Sequence, residues 1–169
     1  VVSKTLPLIL RICKYYEIDT DTDTDKSIYN YFKEYNLITN NGGSGYFSLP
    51  WIMTWYSHDI KDISVNVVCH IFDVMLTSYS ACYSLYMVAA FIIVHKNKIM
   101  KSSSTTEEEV DFGTIHHLLA QGITTLGFPL YEEIIPLADQ LYVLIPPERI
   151  KNSSRALKNA LKLAASGSS

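Results

Sequence analysis

Apolar residues along this chain recur at steps of three and four rather than in alternation, and runs of Asp, Asn, Gly, Ser or Pro separate the stretches in which they do so. That rhythm predicts helices over 4–17, 27–36, 46–59, 63–77, 81–100, 111–121, 130–144 and 147–164, an all-α helical bundle. Within 46–59, Phe47, Trp51, Trp55 and His58 follow the helical step and form one continuous aromatic face. The next helix repeats it with Ile63, Val67, Val68, Ile71, Phe72 and Met75, and sets Asp73 among them. Burying that carboxylate unpaired would cost several kcal/mol as an order of magnitude, so Asp73 is expected to meet a helix N-terminus or a cation.

No charge appears from Val74 to Val94, which is long enough in principle to span a bilayer. Thr77, Ser78, Tyr79, Ser80, Tyr83, Ser84 and Tyr86 interrupt the first half, and only Leu85 to Val94 is strongly apolar. The pattern therefore reads as a helix end, a short turn and a second helix buried at the centre of the bundle. Three polar stretches punctuate the rest. Asp19 to Asp25 alternates carboxylates with Thr, but an EF-hand loop counted from Asp19 would need Gly at Thr24 and Glu at Asn30, so 19–26 reads as a solvated acidic insertion, with Asp25 or Ser27 capping the following helix. Asn40 to Gly45 is Gly-rich without the Lys-Ser/Thr of a phosphate-binding loop, and reads as a helix connection. Residues 101–109 read as a polar surface loop. The chain thus divides into a helical lobe, 1–147, and a basic amphipathic terminal helix with a flexible end, 148–169.

Composition narrows the chemistry. With 48% apolar and 12% aromatic residues in 169, the chain can bury a sizeable core. A net charge of −3 gives no electrostatic reason to expect nucleic acid. Cys13, Cys69 and Cys82 are odd in number, widely spaced and set among apolar residues, which points to reduced core thiols in a cytosolic setting. No secretory leader is visible at Val1. No cysteine pairing suits a metal, and the adjacent His116 and His117 point about 100° apart on a helix, so they cannot chelate one ion. The tail sets Arg149, Lys151, Arg155, Lys158 and Lys162 around Ile150, Leu157, Ala160, Leu161 and Leu163. It suits either docking of its leucines on the lobe or contact with an anionic membrane or an acidic partner.

Several separated motifs then resemble one family. Phe47-x-Leu-x-Trp51-x-x-Thr-Trp55-Tyr56-x-His58 is followed by His70-Ile71-Phe72-Asp73, where the TBC domain of Rab GTPase-activating proteins carries Arg-apolar-Trp-Asp. His116-His117-Leu-Leu-x-Gln121 and the stretch from Asp139 to Pro147 follow in the order found in one branch of the family that has fungal counterparts. The likeness runs from about Leu6 to Pro147 and is to the C-terminal half of the domain. It implies that Phe47, Trp51, Trp55, Tyr56, His58, His70, Phe72, Asp73, His116 and His117 form the scaffold that holds the lobe together. The family's catalytic groups are an arginine from Ile-x-x-Asp-x-x-Arg and a glutamine from Tyr-x-Gln, and neither motif occurs here: the arginines are Arg11, Arg149 and Arg155, the glutamines Gln121 and Gln140. An arginine finger contributes on the order of 10³ to 10⁵ in rate.

The resemblance therefore implies a part of a Rab activator in ER-to-Golgi traffic that has no catalytic residue of its own and is inactive alone. Its partner is a Rab small GTPase, which itself brings GTP and Mg, so the chain needs no cofactor. Its location is cytoplasmic, at the cytosolic face of the ER if the full protein is anchored. The competing reading is a non-catalytic binding or scaffolding module. A helical lobe separated from its other half would leave an apolar face bare, which predicts self-association or a partner that covers it.

Overall fold

Ten consecutive residues, Tyr83 to Ile92, are buried, so the helix that carries them is apolar all round and has no solvent face. The computed structural model describes residues 2–20, 27–35, 46–57, 64–78, 80, 82–102 and 112–149. In these the regular structure is entirely helical: α1 (Val2–Asp19), α2 (Ile28–Glu34), a 3₁₀ turn (Tyr46–Ser48) leading into α3 (Leu49–Met53), α4 (Val65–Thr77), α5 (Tyr83–Val94), α6 (Lys96–Ser102), α7 (Phe112–Ala120), α8 (Gly122–Leu126), a π turn (Leu130–Ile134) and α9 (Ile135–Leu144). The sequence between 74 and 94 is divided between α4 and α5, and among the described residues no helix is long and apolar enough to cross a membrane. The readings made for the loops at 21–26, 40–45 and 103–109 and for the tail from Ile150 lie outside the described residues.

α5 is the axis against which α1 and α9 pack. Ile9, Ile12 and Cys13 line it from α1, and Ile134, Ala138, Leu141 and Ile145 from the other side. Two tyrosine hydroxyls around α5 find backbone acceptors. Tyr86 donates to the Ile145 carbonyl at 2.6 Å, and Tyr56 to that of Ser84 at 3.2 Å. Gly122 lets α8 approach this axis, because a Cβ there would sit 3.0 Å from Phe91 Cε1. His95 alone separates α5 from α6, so the single helix expected over 81–100 is two. Pro136 has no N–H, and one turn earlier the chain takes π geometry, with Ile134 N–H bonded to the Pro129 carbonyl at 3.1 Å.

The helix expected over 46–59 is also broken. α3 stops at Met53, and Trp55 and Tyr56 take left-handed backbone angles, φ 47° and 66°. Such values cost a non-glycine residue about 1–3 kcal/mol each and persist only where the surroundings dictate them. Here the Tyr56 N–H returns to the Trp51 carbonyl at 2.7 Å and its ring becomes fully buried. The continuous aromatic face consequently divides into an inward and an outward part.

Candidate functional site

The inward part is an aromatic wall. Phe47 meets Trp51 edge-on at 5.8 Å between ring centres, Trp51 stacks on Tyr56 at 6.1 Å and meets Phe91 of α5 at 5.0 Å, and Phe128 closes on both Tyr56 and Phe91. Burial pushes the Tyr56 hydroxyl well above its ordinary pKa, with Tyr83 a smaller contributor, so the group is a fixed donor. Phe47, Trp51 and Tyr56 thus lie in the core.

The outward part lies on α4. Trp55 is half-buried and meets Phe72 edge-on at 5.2 Å, and the exposed His70 meets Tyr131 of the π turn at 5.3 Å. The partner expected for Asp73 is not required, because Asp73 is exposed on the water-facing side of α4. Phe72 and His70 are exposed as well, so three of the residues expected to hold the lobe together stand on an outer face. The cause is the helix's orientation: of its thirteen residues only Ile71 is buried. Cys69 is exposed on that face too, and only Cys13 is a fully buried thiol, its pKa pushed up chiefly by burial. His58 lies outside the described residues, His116 is half-buried and His117 exposed.

Between α4 and α9 lies a groove of about 260 Å³ lined by Val74, Thr77, Ser78, Ile135, Tyr142, Tyr83 and Asp139. Tyr83 donates a short hydrogen bond to Asp139 Oδ1 across 56 residues of sequence, and burial together with that bond raises the tyrosine's pKa. The walls are apolar and the polar pair sits among them, which suits an apolar side chain better than a reaction.

Two polar nodes escaped the sequence reading. Glu17 is buried at the end of α1, accepts from Ser27 Oγ at 2.7 Å and from the Ile28 N–H at 2.6 Å, and pairs with Lys96 Nζ at 3.1 Å. It therefore caps α2 together with Ser27, whose hydroxyl accepts from the Asn30 N–H at 3.2 Å. The second node closes α8. His95 Nε2 lies 3.0 Å from the Gly127 carbonyl. Lys98 Nζ donates to the Leu126 carbonyl at 3.2 Å. Two side chains from the α5–α6 junction thus satisfy carbonyls at the end of α8. Only the adjacency of Ser27 to a helix start hinted at either node.

These groups do not make a reaction centre. The Arg149 guanidinium lies over the Tyr15 ring at 4.7 Å. It also donates to the Leu144 carbonyl at 3.2 Å, which keeps it against the body of the protein. Among the described residues no group of three His, Cys, Asp or Glu side chains is placed to hold a metal. What the described residues do present is an aromatic core behind an exposed apolar helix and a groove.

Comparisons with known proteins bear on this arrangement. TBC1 domain family member 20 of Bos taurus is 29% identical over 123 residues, 71% of this chain and 27% of that protein. The Homo sapiens protein of the same name is 28% identical over the same length. GTPase-activating protein gyp10 of Schizosaccharomyces pombe is 30% identical over 98 residues, 58% of this chain and 22% of that protein. No family model and no solved structure matches. The chain is thus similar to part of a TBC1 domain family protein and part of a fungal GTPase-activating protein. It spans about a quarter of the length of the curated relatives it matches.

Proposed function

We propose that this chain is the scaffold portion of a Rab GTPase-activating protein, which stimulates GTP hydrolysis by a small Rab GTPase in ER-to-Golgi traffic. The observation that carries the reading is the 123-residue similarity to TBC1 domain family member 20, with the similarity to gyp10 beside it. The chain's part in that activity is to bury one wall of aromatic residues and so hold a domain in shape. The chemistry belongs to an arginine and a glutamine whose motifs its sequence lacks. GTP and Mg come with the Rab, and the protein works at a cytosolic membrane surface. On this reading Phe47, Trp51 and Tyr56 carry the scaffold, and His70, Phe72, His116 and His117 belong to the surface of the lobe.

A second reading is a binding module without catalysis, and the apolar groove around Tyr83 and Asp139 favours it. Single-turnover GTP hydrolysis by an early-secretory Rab separates the two. The expected result is no acceleration by this chain alone and acceleration on the order of 10³ or more by a polypeptide extended upstream through Ile-x-x-Asp-x-x-Arg and Tyr-x-Gln. No acceleration by either would leave the binding module.

A further inference from the structure

The groove between α4 and α9 holds a charge that its apolar walls do not call for. Asp139 Oδ1 accepts the Tyr83 hydroxyl, and among the described residues Tyr83 is the one hydrogen-bond partner of that carboxylate. Two further hydroxyls of the lining also spend their protons inside the protein, Thr77 Oγ1 on the Asp73 carbonyl at 2.7 Å and Ser78 Oγ on the Met75 carbonyl at 2.9 Å. These groups therefore offer an incoming molecule a carboxylate oxygen and hydroxyl lone pairs, all of them acceptors. The surroundings have the same sign. α4, α5, α7, α8, the π turn and α9 carry Asp73, Glu132, Glu133 and Asp139, each exposed, and no lysine or arginine, whereas the described bases stand on α1, α2 and α6 and at Arg149.

We propose that this groove binds an arginine side chain presented by a partner polypeptide. Its volume, about 260 Å³, lies below the range of about 300–1,000 Å³ that drug-sized ligands fill, and suits one long side chain. Val74 and Ile135 give the aliphatic stem an apolar bed, and the free oxygen of Asp139 gives the head an anion. The rings of Tyr83 and Tyr142, 6.2 Å apart between centres, both line the groove. A guanidinium stacks on such rings and is more weakly hydrated than an ammonium, which favours arginine over lysine. Leu76 and Val143, next in sequence to the groove residues Thr77 and Tyr142, are 69% and 78% exposed and offer apolar support to the residues flanking that arginine. The acidic surroundings attract a basic segment and repel nucleic acid or an anionic membrane. The inference rests on the groove and its charge, and its failure would leave the GTPase reading untouched.

Titration of the whole chain with the tripeptide acetyl-Ala-Arg-Ala-amide, followed by amide shifts in two-dimensional NMR, tests this directly. The amides of Val74, Thr77, Ser78 and Tyr142 should shift with a dissociation constant on the order of 0.1–1 mM that weakens with added salt. The same tripeptide with citrulline, which keeps the shape and loses the charge, should bind at least about tenfold more weakly, and so should the arginine tripeptide to Asp139→Asn. That variant keeps an oxygen for Tyr83 on an exposed position of α9, so far-UV circular dichroism should match the wild type. Glu148→Gln removes a charge of the same sign outside the groove lining and should change the constant by less than about twofold. Free L-arginine, without flanking residues, should bind several-fold more weakly than the tripeptide. Groove amides that do not move, citrulline binding as tightly as arginine, Asp139→Asn no weaker than Glu148→Gln, or free arginine as tight as the tripeptide would each overturn the proposal.

Discussion

Glu17 shows how much one residue can decide. In the sequence it is one acid in a polar stretch; in the fold it is buried and joins three helices, capping α2 through Ser27 and Ile28 and pairing with Lys96 of α6. Removing one partner of a buried pair leaves the other charge uncompensated, which costs about 3–5 kcal/mol. Glu17→Ala should therefore lower the urea midpoint, and Glu17→Gln, which loses the charge but keeps an acceptor for the α2 N-terminus, should recover part of that loss. Similar losses from the two variants would mean that this acceptor has no special part. The converse case is Asp73, which its sequence surroundings mark as a buried acid and the fold leaves in water. Helical periodicity gives the angle between residues on one helix, but not which arc of that helix faces the core.

At the scale of elements, the departures from simple helices have one local and one distant physical cause. α3 ends where Trp55 and Tyr56 turn left-handed, and α9 starts with a π turn ahead of Pro136. The first break carries no Gly or Pro at the point of change that a sequence reading could use, since its reward is the burial of Tyr56 against distant helices. The junction of α5 and α6 supplies a pH test. Burial, with Lys98 nearby, lowers the pKa of His95 below its usual 6.5. The folded chain then releases that proton where the unfolded chain still holds it, so the contribution is complete above about pH 6.5 and is lost as the pH falls. The stability margin of the wild type over His95→Gln should accordingly shrink between pH 7.5 and 5; a margin constant across that range would refute a buried neutral imidazole.

Over the whole molecule, stability should be distributed unevenly. α5 is enclosed along Tyr83 to Ile92, whereas α4 buries one residue of thirteen and borders the groove with α9. Amide hydrogen exchange should be slowest across Tyr83 to Ile92 and faster in α4 by several orders of magnitude. Equal protection of the two helices would contradict this ordering.

The sequence by itself determined the all-helical class, the approximate position of most of the helices among the described residues but not of α8 or of the breaks in 46–59 and 81–100, the central burial of α5 and the family that the motifs resemble. It could do so because these properties depend on periodicity, composition and residues near one another in the chain. Tertiary structure alone decided that Phe72 and Asp73 face outward, that Trp55 and Trp51 part company, that Glu17 ties α1 to α2 and α6, and that Tyr83 meets Asp139. Each of these depends on which arc of a helix meets which neighbour, a property of packing between segments far apart in sequence, and a one-dimensional pattern does not encode it.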